Sequence, residues 1–535
     1  MHASAPDAAP TVEAHSAVTG ERLGTLRATT PRGAADAARG AQAVQRLWAE
    51  LRPGDRARYM ARAAQAVIDE FDELAGLLAA EQGRPRAEAE VMELLAAVET
   101  LQWLAEEGPR ILAGQRIGFS RTQHPVKRGR WTYEPLGVVA VLGAAAEPFA
   151  TPLGDVAVAL MAGNGVVLKP SPHAALAGER VARVLARAGL PEGLLRVAHG
   201  HADVGGALVE APAVAQVRFT GSARAGRAVG EACARGLKRS VLELGGKDAM
   251  LVLADANVAR AARGAAWAAF ANAGQCGGSV ERVFVLRDVA DRFLAALVGH
   301  ARTLRVGDPR DPDVEIGPLV SRERAGRVRA LVDEAVADGA TLHCGGALEP
   351  GPDGLAGAFY APAVLTGVPD GVRLAREEVP GPVLVVSTVD DEDDAIARAN
   401  DVDLALGASV WTADRPKGER IAHELRASMV WMNDHLVART APQVPWGGVG
   451  GSGVGRARGA IALRTCAEPK VVTWDPPIGR PAWWFPYDRA LARAARGVAG
   501  LRSARDADRD RALREDALPL ARVTGRWLRA LRSGR

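Results

Sequence analysis

A chain of 535 residues is long enough for two or three domains, and 48% hydrophobic with 24% charged residues is the make-up of a folded chain with a large core. A net charge of +4 is small for that length and excludes the strongly basic profile of a nucleic-acid binder. No run reaches the roughly 18 uninterrupted apolar residues of a membrane span; Val138 to Leu168 comes nearest, and Glu147, Asp155 and two prolines break it.

Residues 1–10 are rich in Ala and Pro and are expected to be unstructured, without the basic and apolar segments of a signal peptide. Thr11–Ala28 reads as short strands and turns. Helices are expected over Pro31–Leu51, Gly54–Gln82 and Pro85–Glu107, with Gly83-Arg84-Pro85 as punctuation. A basic, extended segment, Val126–Tyr133, precedes Pro135. Apolar strands then alternate with helices. The strands are Val138–Leu142, Val166–Leu168, Leu195–Ala198, Val217–Phe219 and Ser240–Leu244. The helices between them are near Gly154–Met161, Ala174–Ala188, after His201, and Ala223–Arg235. That spacing predicts βαβ units and a parallel sheet. A second α/β region spans about Lys247–Gln443. It has helices near Asn257–Asn272, Val289–Thr303 and Ser321–Ala337, and strands near Arg282–Leu286, Val383–Val389 and Met429–Met432. Lys470–Trp474 reads as an edge strand, and an Arg-rich helical tail runs from Pro481 to Arg535.

The most reactive stretch is Phe270-Ala271-Asn272-Ala273-Gly274-Gln275-Cys276-Gly277-Gly278. Glycines let backbone approach a ligand closely, and a thiolate is the strongest side-chain nucleophile near neutral pH. Cys276 is therefore a candidate nucleophile; the alternative is a small buried apolar residue. The other cysteines, Cys233, Cys344 and Cys466, are far apart and offer no metal-ligand spacing, and a disulfide framework is not expected at this size, which fits a reducing cytoplasm.

Leu242-Glu243-Leu244-Gly245-Gly246-Lys247, taken with Gly274-Gln275-Cys276, resembles the aldehyde dehydrogenase superfamily. Further segments follow in family order: Val167-Leu168-Lys169-Pro170-Ser171, Phe219-Thr220-Gly221-Ser222 with Gly226, Glu377-Glu378-Val379-Pro380-Gly381-Pro382, Asn433, Pro445-Trp446-Gly447-Gly448 and Ser452-Gly453-Val454-Gly455-Arg456. The resemblance covers about residues 12–475. It implies an α/β fold with a Rossmann-like dinucleotide-binding domain (11–121 and 135–243), a catalytic domain (244–443) and an oligomerisation arm (122–134 and 457–478), followed by the Arg-rich extension (479–535). It also implies a cytoplasmic homo-oligomer, dimer or tetramer, that oxidises an aldehyde with NAD or NADP through a thiohemiacetal and a thioester.

Roles carry over residue by residue. Cys276 would attack the aldehyde. Glu243, at the end of a buried strand, would be the base that activates water, or else a carboxylate capping a turn. Lys169 would reach the adenosine ribose from a strand's carboxyl end. Gly221 and Ser222 would offer helix-start N–H groups to the pyrophosphate, or serve as a plain N-cap. Gly226 and Leu244 complete the cofactor wall, and Glu378 would hold the nicotinamide ribose.

Counting along the family pattern gives four departures. Gly-Gln-X-Cys puts Gly277 at the nucleophile position, with Arg282 in its usual place and Cys276 one residue early. Counting back from Asn164 puts Ala146 where an oxyanion-binding Asn is expected, a donor whose loss costs roughly 10²–10³ in rate. Glu147 replaces an aromatic residue, and a carboxylate there is either solvated or favours a cationic substrate. Pro380 replaces a Phe, and Pro172 replaces a Glu that bears on the choice between NAD and NADP. A second function is thus carried beside oxidation: an impaired homologue that binds a dinucleotide as a structural or regulatory subunit. For the tail, the Trp483-Trp484-Phe485-Pro486-Tyr487 run and its arginines allow contact with an anionic membrane surface; the interspersed acids favour a helix packed on the body or on a partner.

Overall fold

Runs rich in valine and alanine form the central strands, the pattern of parallel strands covered on both faces. Val138–Leu142 is buried at every position, and so is Gly165–Lys169. The computed structural model describes residues 10–120, 124, 126–143, 145–436, 440–475, 477, 484–485, 487, 489–519, 521–523 and 525. The expectation for residues 1–9 lies outside them.

Among the described residues, six strands form the first sheet in the order Gly453–Val454, Arg239–Glu243, Val214–Thr220, Val138–Leu142, Gly165–Lys169, Leu195–Val197. All pairs are parallel except that of Gly453–Val454 with Arg239–Glu243. The second sheet has seven strands in the order Thr341–Ala347, Tyr360–Thr366, Val383–Val389, Val280–Leu286, Asp248–Val252, Gly407–Trp411, Met429–Met432, parallel apart from the first pair. The α/β class expected from the strand–helix alternation is what the chain forms.

Two expected helices are interrupted. Gly54–Gln82 is really Pro53–Asp69 and Phe71–Gln82, because Glu70 leaves helical geometry; its buried carboxylate is held by Arg187 at 2.5 Å and Arg180 at 3.4 Å. The third helix carries a π segment, Ala89–Leu95, ahead of Ala96–Ile111.

Residues up to 113 together with 133–468 form one unit, and 114–132 with 469–535 form another. The first holds both large sheets. The second is built around a three-stranded sheet of Gln115–Arg116, Arg128–Pro135 and Ala467–Trp474, with helices Arg489–Leu501 and Asp506–Glu515. Trp484, Phe485 and Tyr487 are exposed there; Trp483 and Pro486 lie outside the described residues.

The ends of the strands place the site. The first sheet turns its carboxyl ends, Leu142, Lys169, Thr220 and Glu243, toward one region. From the second sheet come segments at the amino ends of strands: Gly274–Gly278 before Val280, Glu378–Pro380 before Val383, and Leu406 before Gly407.

Candidate active site

Helix Val258–Phe270 stops at a short 3₁₀ turn in which Asn272, Ala273 and Gly274 have φ of +52°, +52° and +70°. Three successive left-handed residues are costly unless the surroundings hold them. Here the Asn272 N–H donates to Glu88 Oε2 at 2.8 Å, and Asn272 Nδ2 donates to the Ala146 carbonyl at 3.1 Å. Gln275 Nε2 donates to Asn272 O, while Gln275 Oε1 accepts from Val320 N and Arg324 Nη1, each at 3.1 Å. At Gly274 a Cβ would stand 2.2 Å from the Gly381 carbonyl oxygen, so only glycine fits.

This turn carries Cys276 onto the wall of a cavity of about 380 Å³. The thiol is 9% exposed and lies 3.8 Å from the Ala271 carbonyl. Gly277 lines the same cavity, and the space its Cβ would take is open. None of the four cysteines is in a disulfide.

Glu243 ends strand Arg239–Glu243 and lines the same cavity, buried. Burial pushes its pKa up to about 7; the charge of Asp155 adds to this, Arg458 and Arg218 oppose it, and Glu147 adds again. A carboxylate balanced near neutrality in a pocket that also holds a thiol is the arrangement that general-base chemistry requires.

The remaining expected residues divide. Gly221, Ser222, Leu244 and Glu378 line the cavity. The Gly221 N–H donates to the Glu243 carbonyl at 3.0 Å, and Ser222 Oγ caps helix Ala223–Arg235 by accepting from Ala225 N at 3.3 Å. Glu378 is pushed up to about 7 by burial and by Glu281, against Arg324, Lys247 and Arg327. Gly226 lies behind the wall: a Cβ there would meet Leu244 Cδ2 at 2.2 Å, so its absence lets helix and strand close. Lys169 is buried at its strand end but does not line the cavity; its Nζ donates to the Pro170 carbonyl at 3.1 Å, and burial pulls its pKa down to about 8 against the charge of Asp203. Ser171 and His173, just beyond it, do line the cavity.

Beside Glu147, which the sequence had placed here, Arg84 and the Lys247–Glu281 pair contribute without having been expected. Arg84, read there as part of a turn, is fully buried, donates from Nη2 to the Ala146 carbonyl at 2.6 Å and sits 3.4 Å from Glu93. Burial works against its charge, but Glu93, Cys276, Glu88 and Glu147 outweigh it and raise its pKa. Glu147 is buried, lines the cavity and accepts from Thr151 Oγ1 at 2.9 Å. Lys247 and Glu281 form a buried pair at 2.6 Å, and Glu281 Oε2 also accepts from Val379 N beside Glu378.

A dinucleotide fits what these residues offer. A groove of about 620 Å³ adjoins the cavity and shares Ser222, Arg327 and Glu378 with it. The start of a 13-residue helix faces the shared part, a place where N–H groups and the helix dipole favour phosphate. Thr220 Oγ1 is buried on the cavity wall with no hydrogen-bond partner.

Comparison with known proteins gives a consistent result. The model of the aldehyde dehydrogenase family matches residues 4–472. A betaine aldehyde dehydrogenase of Cereibacter sphaeroides is 37% identical over 454 residues, 85% of this chain and 92% of that protein. One of Agrobacterium fabrum is 36% identical over 456 residues, 85% and 90%. Among solved structures, a Mycobacterium tuberculosis aldehyde dehydrogenase complexed with NAD+ matches with a TM-score of 0.82 at 33% identity, over 88% of this chain and 95% of that one. An NAD-dependent aldehyde dehydrogenase from Sinorhizobium meliloti matches with a TM-score of 0.84 at 32% identity, over 89% and 93%.

Proposed function

The chain belongs to the aldehyde dehydrogenase family, and on that premise we propose that it oxidises an aldehyde to a carboxylic acid with NAD or NADP, Cys276 as nucleophile and Glu243 as base. The observation that supports this most is one cavity lined by both the thiol and the strand-end carboxylate.

The Cys276 thiolate adds to the carbonyl carbon, a C–S bond forms and the oxygen becomes an oxyanion. The buried Arg84 guanidinium, which senses the charge of Cys276, favours the thiolate. A nicotinamide held there would supply a hydride acceptor for oxidising this adduct to a thioester. Glu243 then takes a proton from water; the hydroxyl oxygen bonds to the acyl carbon, the C–S bond breaks and the sulfur leaves as thiolate. Gly221 and Ser222 would face the pyrophosphate and Glu378 the nicotinamide ribose. Leu244, seated on Gly226, would form the wall beneath. Lys169 would have to exchange its contact with the Pro170 carbonyl for the adenosine ribose.

The same reading makes residues 11–121 with 135–243 the dinucleotide-binding part and 244–443 the catalytic part of a cytoplasmic homo-oligomer. No described helix is long and apolar enough to cross a membrane. Relatives named betaine aldehyde dehydrogenases put betaine aldehyde first in a substrate panel. The test is formation of reduced cofactor from NAD or NADP with a series of aldehydes, for the native chain and Cys276→Ala. Turnover that the substitution abolishes is expected; turnover that survives it removes Cys276 from the mechanism.

A further inference from the structure

Behind Glu243 lies a buried ion pair that the chemistry above does not use. Arg218 Nε and Nη2 both donate to Asp155 Oδ1, at 2.7 and 2.5 Å, with the two side chains 0% and 6% exposed. Nη2 also donates to the Ala457 carbonyl at 2.8 Å, and Nη1 lies 3.6 Å from Cys466 Sγ. The pair is built into the walls of the site. Arg218 pairs with Val241 and Thr220 with Glu243 in adjacent parallel strands. Side chains two apart share a face, so the Arg218 guanidinium and the Glu243 carboxylate project from the same side of the sheet. Asp155 comes from helix Ala150–Met161, one turn after Thr151. Asp155 and Glu243 also line one narrow cleft of about 20 Å³, space for about one water.

Burying such a pair brings little stability over well-packed apolar residues, because both ions lose water. What it does bring is two fixed charges in a low-dielectric wall, where their influence on a neighbouring carboxylate is far stronger than in water. We propose that Asp155 and Arg218 are a positioning pair for Glu243, touching neither aldehyde nor cofactor but setting the charge environment in which the base works. The proposal rests on Glu243 being that base. The other charged groups facing Glu243 are Arg458, ahead of helix Gly459–Thr465, and Glu147, ahead of helix Ala150–Met161; Cys276, Glu378, Glu281, His173, Arg324 and Arg327 line the wider cavity. Of the charges acting on Glu243, that of Asp155 is the largest.

The test reads the Glu243 proton itself. In the full-length protein, the C=O stretch of protonated Glu243, assigned by its loss in Glu243→Gln, is titrated with pH by infrared spectroscopy. Asp155→Asn keeps an acceptor for Arg218 but removes the negative charge, leaving the guanidinium to favour ionised Glu243; the titration is expected to move about one unit toward acid. Asp155→Ser also removes the charge, leaving room for water beside Arg218, and is expected to move it the same way, so either variant decides if the other does not fold. Asp155→Glu keeps the charge and is expected to titrate like the native protein. A titration unmoved in a folded charge-removing variant overturns the proposal, and so does an equal shift in Asp155→Glu, which would show packing rather than charge. Absence of aldehyde turnover in the native protein would instead sink the assignment of Glu243 as base, a separate result.

Discussion

As the proposed base, Glu243 would take a proton only when ionised, and burial has pushed its pKa up to about 7. The rate of thioester hydrolysis is therefore expected to rise through pH 7 and to fall below it, in a pH–rate profile of the deacylation step. Glu243→Gln removes the proton acceptor and is expected to slow that step by about 10²–10⁴, with acyl-enzyme accumulating in rapid-quench experiments. Cys276 and Glu243 were legible in the sequence because each sits in a motif of reactive and permissive residues. Asp155 and Arg218 carried a fainter signal: single charges inside apolar segments, Leu153 to Met161 and Val217 to Phe219, where an unpaired ion would be intolerable. Such a charge implies a buried partner, but the sequence does not say which. Arg84 was hidden inside Gly83-Arg84-Pro85, whose turn chemistry masks a guanidinium that is 1% exposed.

The turn before Cys276 shows why one glycine cannot be spared. Gly274→Ala would strain a φ of +70° and force a Cβ to within 2.2 Å of a backbone carbonyl. A loss of about 2 kcal/mol or more in denaturant unfolding, together with lost turnover, is expected. Gly226→Ala meets the Leu244 side chain, Cδ2 at 2.2 Å and Cγ at 3.1 Å, rather than backbone. It is expected to lower the unfolding midpoint less than Gly274→Ala does while displacing Leu244 toward the cavity, which would raise the KM for the dinucleotide more than it lowers kcat. Element type was readable wherever period and punctuation agreed; helix Ala223–Arg235 begins at its Ser222 cap and ends as expected. Strands Asp248–Val252 and Gly407–Trp411, central to the second sheet, were not read. Five-residue strands such as these have no period long enough to separate them from loops or buried helix.

At the scale of the whole molecule, the decisive feature is that strand carboxyl ends of one sheet and amino-end segments of the other supply a single cavity. Strand order, which brings Gly453–Val454 beside Arg239–Glu243, joins residues over 200 positions apart and had no local signal. The second unit, 114–132 with 469–535, carries the Arg-rich tail. In its tail Arg505 pairs with Asp508 and Arg509 with Asp506, so basic charge is partly spent within the helices. Deleting residues 479–535 is accordingly expected to leave flotation with anionic vesicles unchanged, where a loss of flotation would assign the tail to membrane surfaces. The central claim, that the Cys276 sulfur carries the acyl group, is most directly tested by acid-quenching the Glu243→Gln protein with aldehyde and cofactor and mapping peptides by mass spectrometry. A stoichiometric acyl adduct on the peptide bearing Cys276, absent in Cys276→Ala, is the expected result. An unmodified Cys276 in a protein that still forms reduced cofactor would contradict it.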